Sequence, residues 1–327
     1  MNEAALCDFY GQSALIERLE ADFRSGQFVH AYLFVGPRGV GKRSVARLLA
    51  RIALCTGADK PCGACGPCVR FLTDNHPDVH TLRPEKSLGV DDVRELIGAL
   101  QLRAFEGGLK VAFIERADRM TPQAQNCLLK TLEEPPDGTL FFLLTDAPSA
   151  LLPTIVSRCR QVNFHPLTQE QECARLARLG FSPERAALLA QLSEGSVGEA
   201  LAISGDEGYL PLRERVMRAF FDLRGPQDVL SAGAGLKEDK ENAERILDIL
   251  ERLLRDAMRA QAGLGRVAEA SAGYEAFAAR MELSASLRLL EQVALARKMR
   301  GSNVPFATVL EHLLLSASKE IHQTCQR

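Results

Sequence analysis

Two glycine-rich stretches near the start of the chain carry side chains whose type and spacing could do chemistry. The first is GPRGVGKRS, Gly36 to Ser44, which follows the apolar run AYLFV and precedes the helical run SVARLLARIAL. Gly36, Gly39 and Gly41 would let backbone N–H groups converge, the following helix would add the partial positive charge of its N-terminus, and Lys42 would reach the outer phosphates of a nucleotide. Hydrolysis asks for more. The residue after the lysine should carry a hydroxyl to hold the bridging magnesium, but here it is Arg43, a guanidinium that cannot coordinate a cation. Ser44 comes one residue late, on a different side of the helix. The strand-like run KVAFI should deliver an Asp for the metal and then a Glu to activate water; the chain instead reads Glu115, Arg116, Ala117, Asp118. Glu115 keeps a carboxylate on a longer arm, while Arg116 cannot serve as a base. In a reaction that rests on positioning and charge, these changes predict no intrinsic ATP turnover. The glycines and Lys42 retain what ATP or ADP binding without turnover requires. The competing reading has Ser44 with Glu115 or Asp118 rescuing the metal.

The second stretch, LCTGADKPCGACGPC, places sulfurs at Cys55, Cys62, Cys65 and Cys68, with glycines and a proline permitting tight turns between them. Four thiolates suit tetrahedral zinc, and a closed four-sulfur shell leaves no position for a reactive water, so the expected role is structural. An iron–sulfur cluster is the runner-up, disfavoured by the six-residue first gap and the missing Cys-Pro; metal-free thiols are the third reading. His76 and His80 lie just beyond and read as surface or core histidines. The other five cysteines, Cys7, Cys127, Cys159, Cys173 and Cys325, read as inert.

The elements that must position these groups show in the periodicity. Short apolar runs at Ala31 to Val35, Val79 to Leu82, Val111 to Ile114, Leu140 to Leu144 and Val162 to Phe164 read as strands alternating with helices, the mark of a parallel sheet. Leu15, Ile16, Leu19 and Phe23 form one helical face and Val93, Leu96, Ile97 and Leu100 another. A further helix should begin at Thr121 as N-cap with Pro122 in its first position, and end before Pro135. After Phe164 only helices are expected: Gln169 to Leu179, Pro183 to Leu192 and Val197 to Ile203. A linker at Ser204 to Pro211 should follow, then longer helices at Leu212 to Leu223, Glu241 to Ala262, Leu283 to Met299 and Pro305 to Thr324, with glycine-rich joints at Ser231 to Gly235 and Gly263 to Gly265.

Composition narrows the function. The 327 residues carry 40 basic and 42 acidic side chains, a net charge of -2, which argues against a chain that wraps nucleic acid by itself. Hydrophobic residues make up 46% of the chain and charged residues 25%, as in ordinary globular domains. No apolar run is long enough for a membrane span, and MNEAALCDFY lacks the pattern of a secretion signal, so a cytoplasmic location is expected.

Taken together, GQSALIERL, HAYLFVGPRGVGK, the cysteine knuckle, KVAFIERADRMT, NCLLKTLEEPP and IVSRC resemble, in the family's order, the clamp-loader branch of the AAA+ proteins. The pattern is most similar to delta-prime-type subunits of bacterial DNA polymerase III; gamma and tau subunits share the knuckle but keep an intact phosphate loop. The resemblance implies an α/β plus all-α chain. An AAA+ parallel-sheet core with a zinc knuckle would span residues 1–165, a small helical lid 166–207, and a helical collar for oligomerisation 208–327. It implies that Arg158, in the SRC element, acts as an arginine finger in trans on the ATP of a neighbouring gamma or tau subunit. The remaining implied partners are the delta subunit and, through the complex, the sliding clamp and primed DNA. GSVGEAL matches the lid element in which active relatives place an ATP-contacting Arg; Gly198 stands there instead. The resemblance thus implies a non-hydrolysing subunit, the alternative being a gamma/tau-like motor ATPase. A zinc-containing DNA-binding protein without a motor role is the third possibility and is opposed by the near-neutral charge.

Overall fold

The computed structural model describes residues 13–325, apart from 85, 106–107, 222, 224, 263–280 and 303. Five apolar runs form strands: β1 (Ala31–Val35), β2 (Val79–Leu82), β3 (Lys110–Ile114), β4 (Thr139–Thr145) and β5 (Arg160–Asn163). They make one sheet in the order β2-β3-β4-β1-β5, with every neighbouring pair parallel. Parallel pairing requires a crossover between successive strands, and both faces of the sheet are consequently covered.

Alternation along β1 shows how the faces divide. Tyr32 and Phe34 point into a core built with α1 (Ser13–Arg24), α2 (Lys42–Leu54) and α3 (Gly66–Leu72). There Phe142 stacks on Phe113 at 5.4 Å and on Tyr32 at 5.8 Å between ring centroids. Ala31 and Leu33 point the opposite way, into a core with α4 (Val90–Gln101) and α5 (Pro122–Glu133). The start of α5 is as the residues predict: Thr121 is the N-cap, its side chain accepts from the Ala124 N–H at 3.2 Å, and Pro122 fills the first turn, where no N–H is needed. A single helical turn, α6 (Pro153–Val156), leads into β5 at the sheet edge.

The chain divides into two compact units, the first ending at Ala202 and the second beginning at Ile203. The first unit closes with α7 (Gln169–Arg178), α8 (Pro183–Ser193) and most of α9 (Val197–Ser204). The second is helical throughout its described residues: α10 (Tyr209–Phe221), α11 (Val229–Lys237), α12 (Ala243–Gln261), α13 (Leu283–Gly301) and α14 (Phe306–Cys325). Its core is mainly aliphatic, with Ile246, Leu250 and Leu253 of α12, Leu289 and Val293 of α13, and Leu310 and Leu314 of α14 all buried, joined by Phe220 and Phe306.

Two expectations fail here. The stretch Ser204 to Pro211 is not wholly a linker, because α10 begins at Tyr209 and takes Pro211 into its first turn, where proline is tolerated. The proposed joint at Ser231 to Gly235 is instead helix α11. Its Gly233 is buried so closely that a Cβ there would lie 3.0 Å from Leu314 Cδ1, and packing outweighs the roughly 1 kcal/mol per residue by which glycine disfavours a helix. The joint expected at Gly263 to Gly265 lies outside the described residues.

Candidate functional site

In an open parallel sheet, ligands collect in the crevice outside the carboxyl ends of the strands. At those ends of β1, β3 and β4 stand the phosphate loop, Glu115 to Asp118, and Thr145 with Asp146. Register brings them together: Val35 is level with Thr145, and Gly36 N donates to Thr145 O at 3.2 Å. The loop joins β1 directly to α2. Gly41 takes φ 96°, ψ 6° at the N-cap of α2, a left-handed conformation suited to glycine. Lys42 folds back over the loop, its Nζ donating to Gly36 O at 2.5 Å and Pro37 O at 2.7 Å. Burial pulls the Lys42 amine down to about 8, against the opposing pull of Asp146 and Asp118.

The two departures read separately in the sequence meet in space. Arg43 Nε lies 2.8 Å from Glu115 Oε1, so the guanidinium that replaces the metal-binding hydroxyl is paired with the carboxylate that would face the metal. A second guanidinium, Arg83, grips the same carboxylate from the other side, Nε to Oε2 at 2.8 Å and Nη2 to Oε1 at 3.2 Å. Glu115 is thus charge-compensated by two fixed cations. Arg116, where a general base would stand, adopts φ 54°, ψ 52°, an uncommon conformation for a residue with a Cβ. Asp118 is engaged by Thr145 Oγ1 at 3.0 Å, Asp146 is paired with Arg38 at 2.8 Å, and Ser44 is exposed.

The third departure, Gly198, also has a physical reason. Helix α9 begins against the phosphate loop: Ser196 Oγ donates to Arg38 O at 2.9 Å, and Gly198 N donates to Gly39 O at 3.0 Å. A Cβ on Gly198 would sit 2.8 Å from Gly39 Cα, and a Cβ on Gly39 would sit 2.1 Å from Ser196 Oγ. The contact therefore demands glycine on both sides. Behind it, the carboxylate of buried Glu172 accepts from Ser193 Oγ at 2.6 Å and Gly195 N at 2.8 Å, fixing the turn that carries Ser196; burial raises the Glu172 carboxyl above the usual range despite these two donors.

The cysteine knuckle fills the crossover from α2 toward β2. The sulfurs of Cys55, Cys62, Cys65 and Cys68 all lie within 4.8 Å of one another, with Cys55 and Cys65 at 3.9 Å. Tetrahedral Zn–S bonds of about 2.3 Å would require sulfurs about 3.8 Å apart, so the donors fit a metal ion. Backbone N–H groups support the thiolates, Gly57 and Cys62 donating to Cys55 Sγ at 3.4 and 3.3 Å and Cys65 to Cys62 Sγ at 3.3 Å. At Cys65 burial opposes ionisation, but the N–H groups of Cys68 and Thr56 prevail and the thiol falls to about 5. His76 is buried on the approach to β2 and His80 lies on β2; neither belongs to the sulfur cluster.

Arg158 follows α6. Its Nη1 donates to Thr154 O at 2.9 Å, and its Nη2 meets the carboxylate of Glu133 at the end of α5. The buried neighbours Ile155 and Cys159 fix the backbone on either side.

Arg83, Glu133 and Ser196 carry no signal in the sequence by themselves. For Arg83 the strand order would have supplied one, since Leu82 is level with Ile114 and the residues that follow, Arg83 and Glu115, must then be neighbours.

The comparisons agree with this architecture. A family model described as DNA polymerase III, delta subunit, matches residues 11–168, and one for the C-terminal part of that subunit matches residues 207–318. The DNA polymerase III subunit delta' of Bacillus subtilis is 31% identical over 93% of this chain and 95% of its own length. That of Escherichia coli is 37% identical over 77% of this chain and 76% of its own. The E. coli tau subunit is 36% identical, but over only 60% of this chain and 32% of its own length. A gamma-subunit-related protein of DNA polymerase III from Thermotoga maritima, 18% identical, shares the fold with a TM-score of 0.50 over 94% of this chain and 99% of its own. With a relative of this identity matched over nearly its whole length, and family models covering both the first part and the helical C-terminal region, the chain belongs to the DNA polymerase III delta-prime (delta') subunit family.

Proposed function

We propose that this chain is a non-hydrolysing subunit of a DNA polymerase III clamp loader, lending Arg158 in trans to the ATP of an adjacent gamma or tau subunit. One observation carries the reading: Arg43 is paired at 2.8 Å with Glu115, so a side-chain cation fills the role that magnesium plays in a working site. An arginine finger, by contrast, needs only a permanently charged guanidinium on a firm backbone, and Arg158 meets both conditions. The helical second unit would be the collar through which subunits associate, in a head-to-tail ring that can end on a member without a site of its own. The delta subunit, the sliding clamp and primed DNA would be met through that complex, in the cytoplasm. No helix among the described residues is long and apolar enough to cross a membrane. The knuckle metal would be zinc in a structural role: Cys55, Cys62, Cys65 and Cys68 would hold it, and its chemistry there is to bind four thiolates and thereby fix the crossover.

The motor alternative finds support in the 36% identity to a tau subunit over 60% of this chain, although that match spans only 32% of the tau subunit's own length. Equilibrium ATP binding and turnover by the purified chain, compared with the reconstituted complex, decides between the two. The isolated chain should release no phosphate above background with magnesium, while Arg158→Ala should lower turnover about tenfold or more at the one site it serves in the complex. Magnesium-dependent turnover by the isolated chain would establish the motor reading instead.

A further inference from the structure

The contact between Arg158 and the end of α5 points to a second residue in the trans-acting apparatus. Glu133 is the last residue of α5, and Glu134 caps it. Carboxylates at a helix C-terminus face the negative end of the helix dipole, so the helix gains nothing from Glu133 at that position. What Glu133 meets is Arg158 Nη2, across 25 residues of chain. The other terminal nitrogen, Nη1, is held at 2.9 Å by Thr154 O, an end carbonyl of α6, and stands 3.5 Å from Ser157 Oγ. The guanidinium is therefore fixed by contacts at both ends of its fork, whereas a free arginine samples many rotamers. A guanidinium offers five N–H donors, and these contacts leave some of them unused. The side chain also remains 33% exposed, as an outward-acting group must be.

Resting on the trans role assigned above, we propose that Glu133 is a positioning residue for Arg158: it holds the guanidinium in the orientation from which it meets a neighbour's ATP. Orientation set before the reaction does not have to be acquired during it, so the benefit should appear in the rate of the chemical step rather than in nucleotide affinity. The opposite possibility, that Glu133 parks the arginine and must release it, makes the opposite prediction.

The test uses the complete reconstituted complex with this chain carrying Glu133→Gln, Glu133→Asp or Arg158→Ala. Glu133→Gln should lower kcat for ATP roughly threefold to tenfold with KM unchanged within about twofold. Glu133→Asp should recover part of the loss, because the charge is kept on a shorter arm. The thermal midpoint of each isolated variant, compared with the unmodified chain, reports whether folding is intact; the half-exposed pair should leave it within a few degrees. Unchanged or raised kcat for Glu133→Gln, alongside a fall for Arg158→Ala, overturns the positioning role while leaving the finger in place. If Arg158→Ala itself leaves turnover unaltered, the trans role falls and the positioning role with it.

Discussion

The cysteine knuckle and the loop from Gly36 to Lys42 are both glycine-rich turns, and they leave their polar groups in different states. In the knuckle the donor set is complete: four sulfurs converge, backbone N–H groups support them, and the arrangement still asks for a metal ion. In the loop the charges are settled internally. Lys42 lies on loop carbonyls, Arg43 and Arg83 neutralise Glu115, and α9 closes on Gly39. The shape of a turn and its readiness for a ligand are thus separable, and the chemical completeness of the donor set tells more about the second than the shape does.

Breaking the knuckle should have the largest effect. Cys65→Ser removes one of four donors, and because metal affinity is folding free energy in such sites, the variant should lose the bound metal, proposed above to be zinc, by elemental analysis and melt many degrees lower in the first unit. Unmodified protein prepared without chelators that contains no metal would end the contrast drawn here. Next comes Gly198→Arg, which puts in place of the glycine the arginine that the family resemblance leads one to expect there. With Gly39 Cα only 2.8 Å from the new Cβ, it should destabilise the first unit by about 1–3 kcal/mol in denaturant melts, and a neutral result would mean that α9 does not rest on the loop. The smallest effect is expected from Lys42→Ala. Turnover by the complete complex should stay within about twofold, since the lysine serves no hydrolytic site under the proposed function; a collapse toward background would restore the loop to the company of working sites.

Much of this architecture is legible in the amino-acid order because local rules dominate it. The five strands coincide with apolar runs to within a few residues, and Thr121 with Pro122 marks the start of α5. The cysteine spacing anticipates the cluster, since close spacing confines the possible geometry. What cannot be read are the pairings that depend on strand order or on tertiary packing. Arg43 and Glu115 both stand out as departures, but only the adjacency of elements distant in the chain turns two losses into one ion pair. Gly198 reads as a missing arginine, whereas in the folded chain it is the residue that permits contact with Gly39. Glycines misled in the other direction at Ser231 to Gly235, where a helix forms because close packing against α14 compensates poor propensity.

The strand order has a further consequence. Both outer strands, β2 and β5, are only four residues long, and they carry polar side chains such as His80 and Thr81 on one edge and Arg160, Gln161 and Asn163 on the other. Short, polar borders offer little template for strand addition by another chain, so this protein can be crowded beside its own copies and other subunits without zipping into aggregates, and its associations are left to side-chain surfaces.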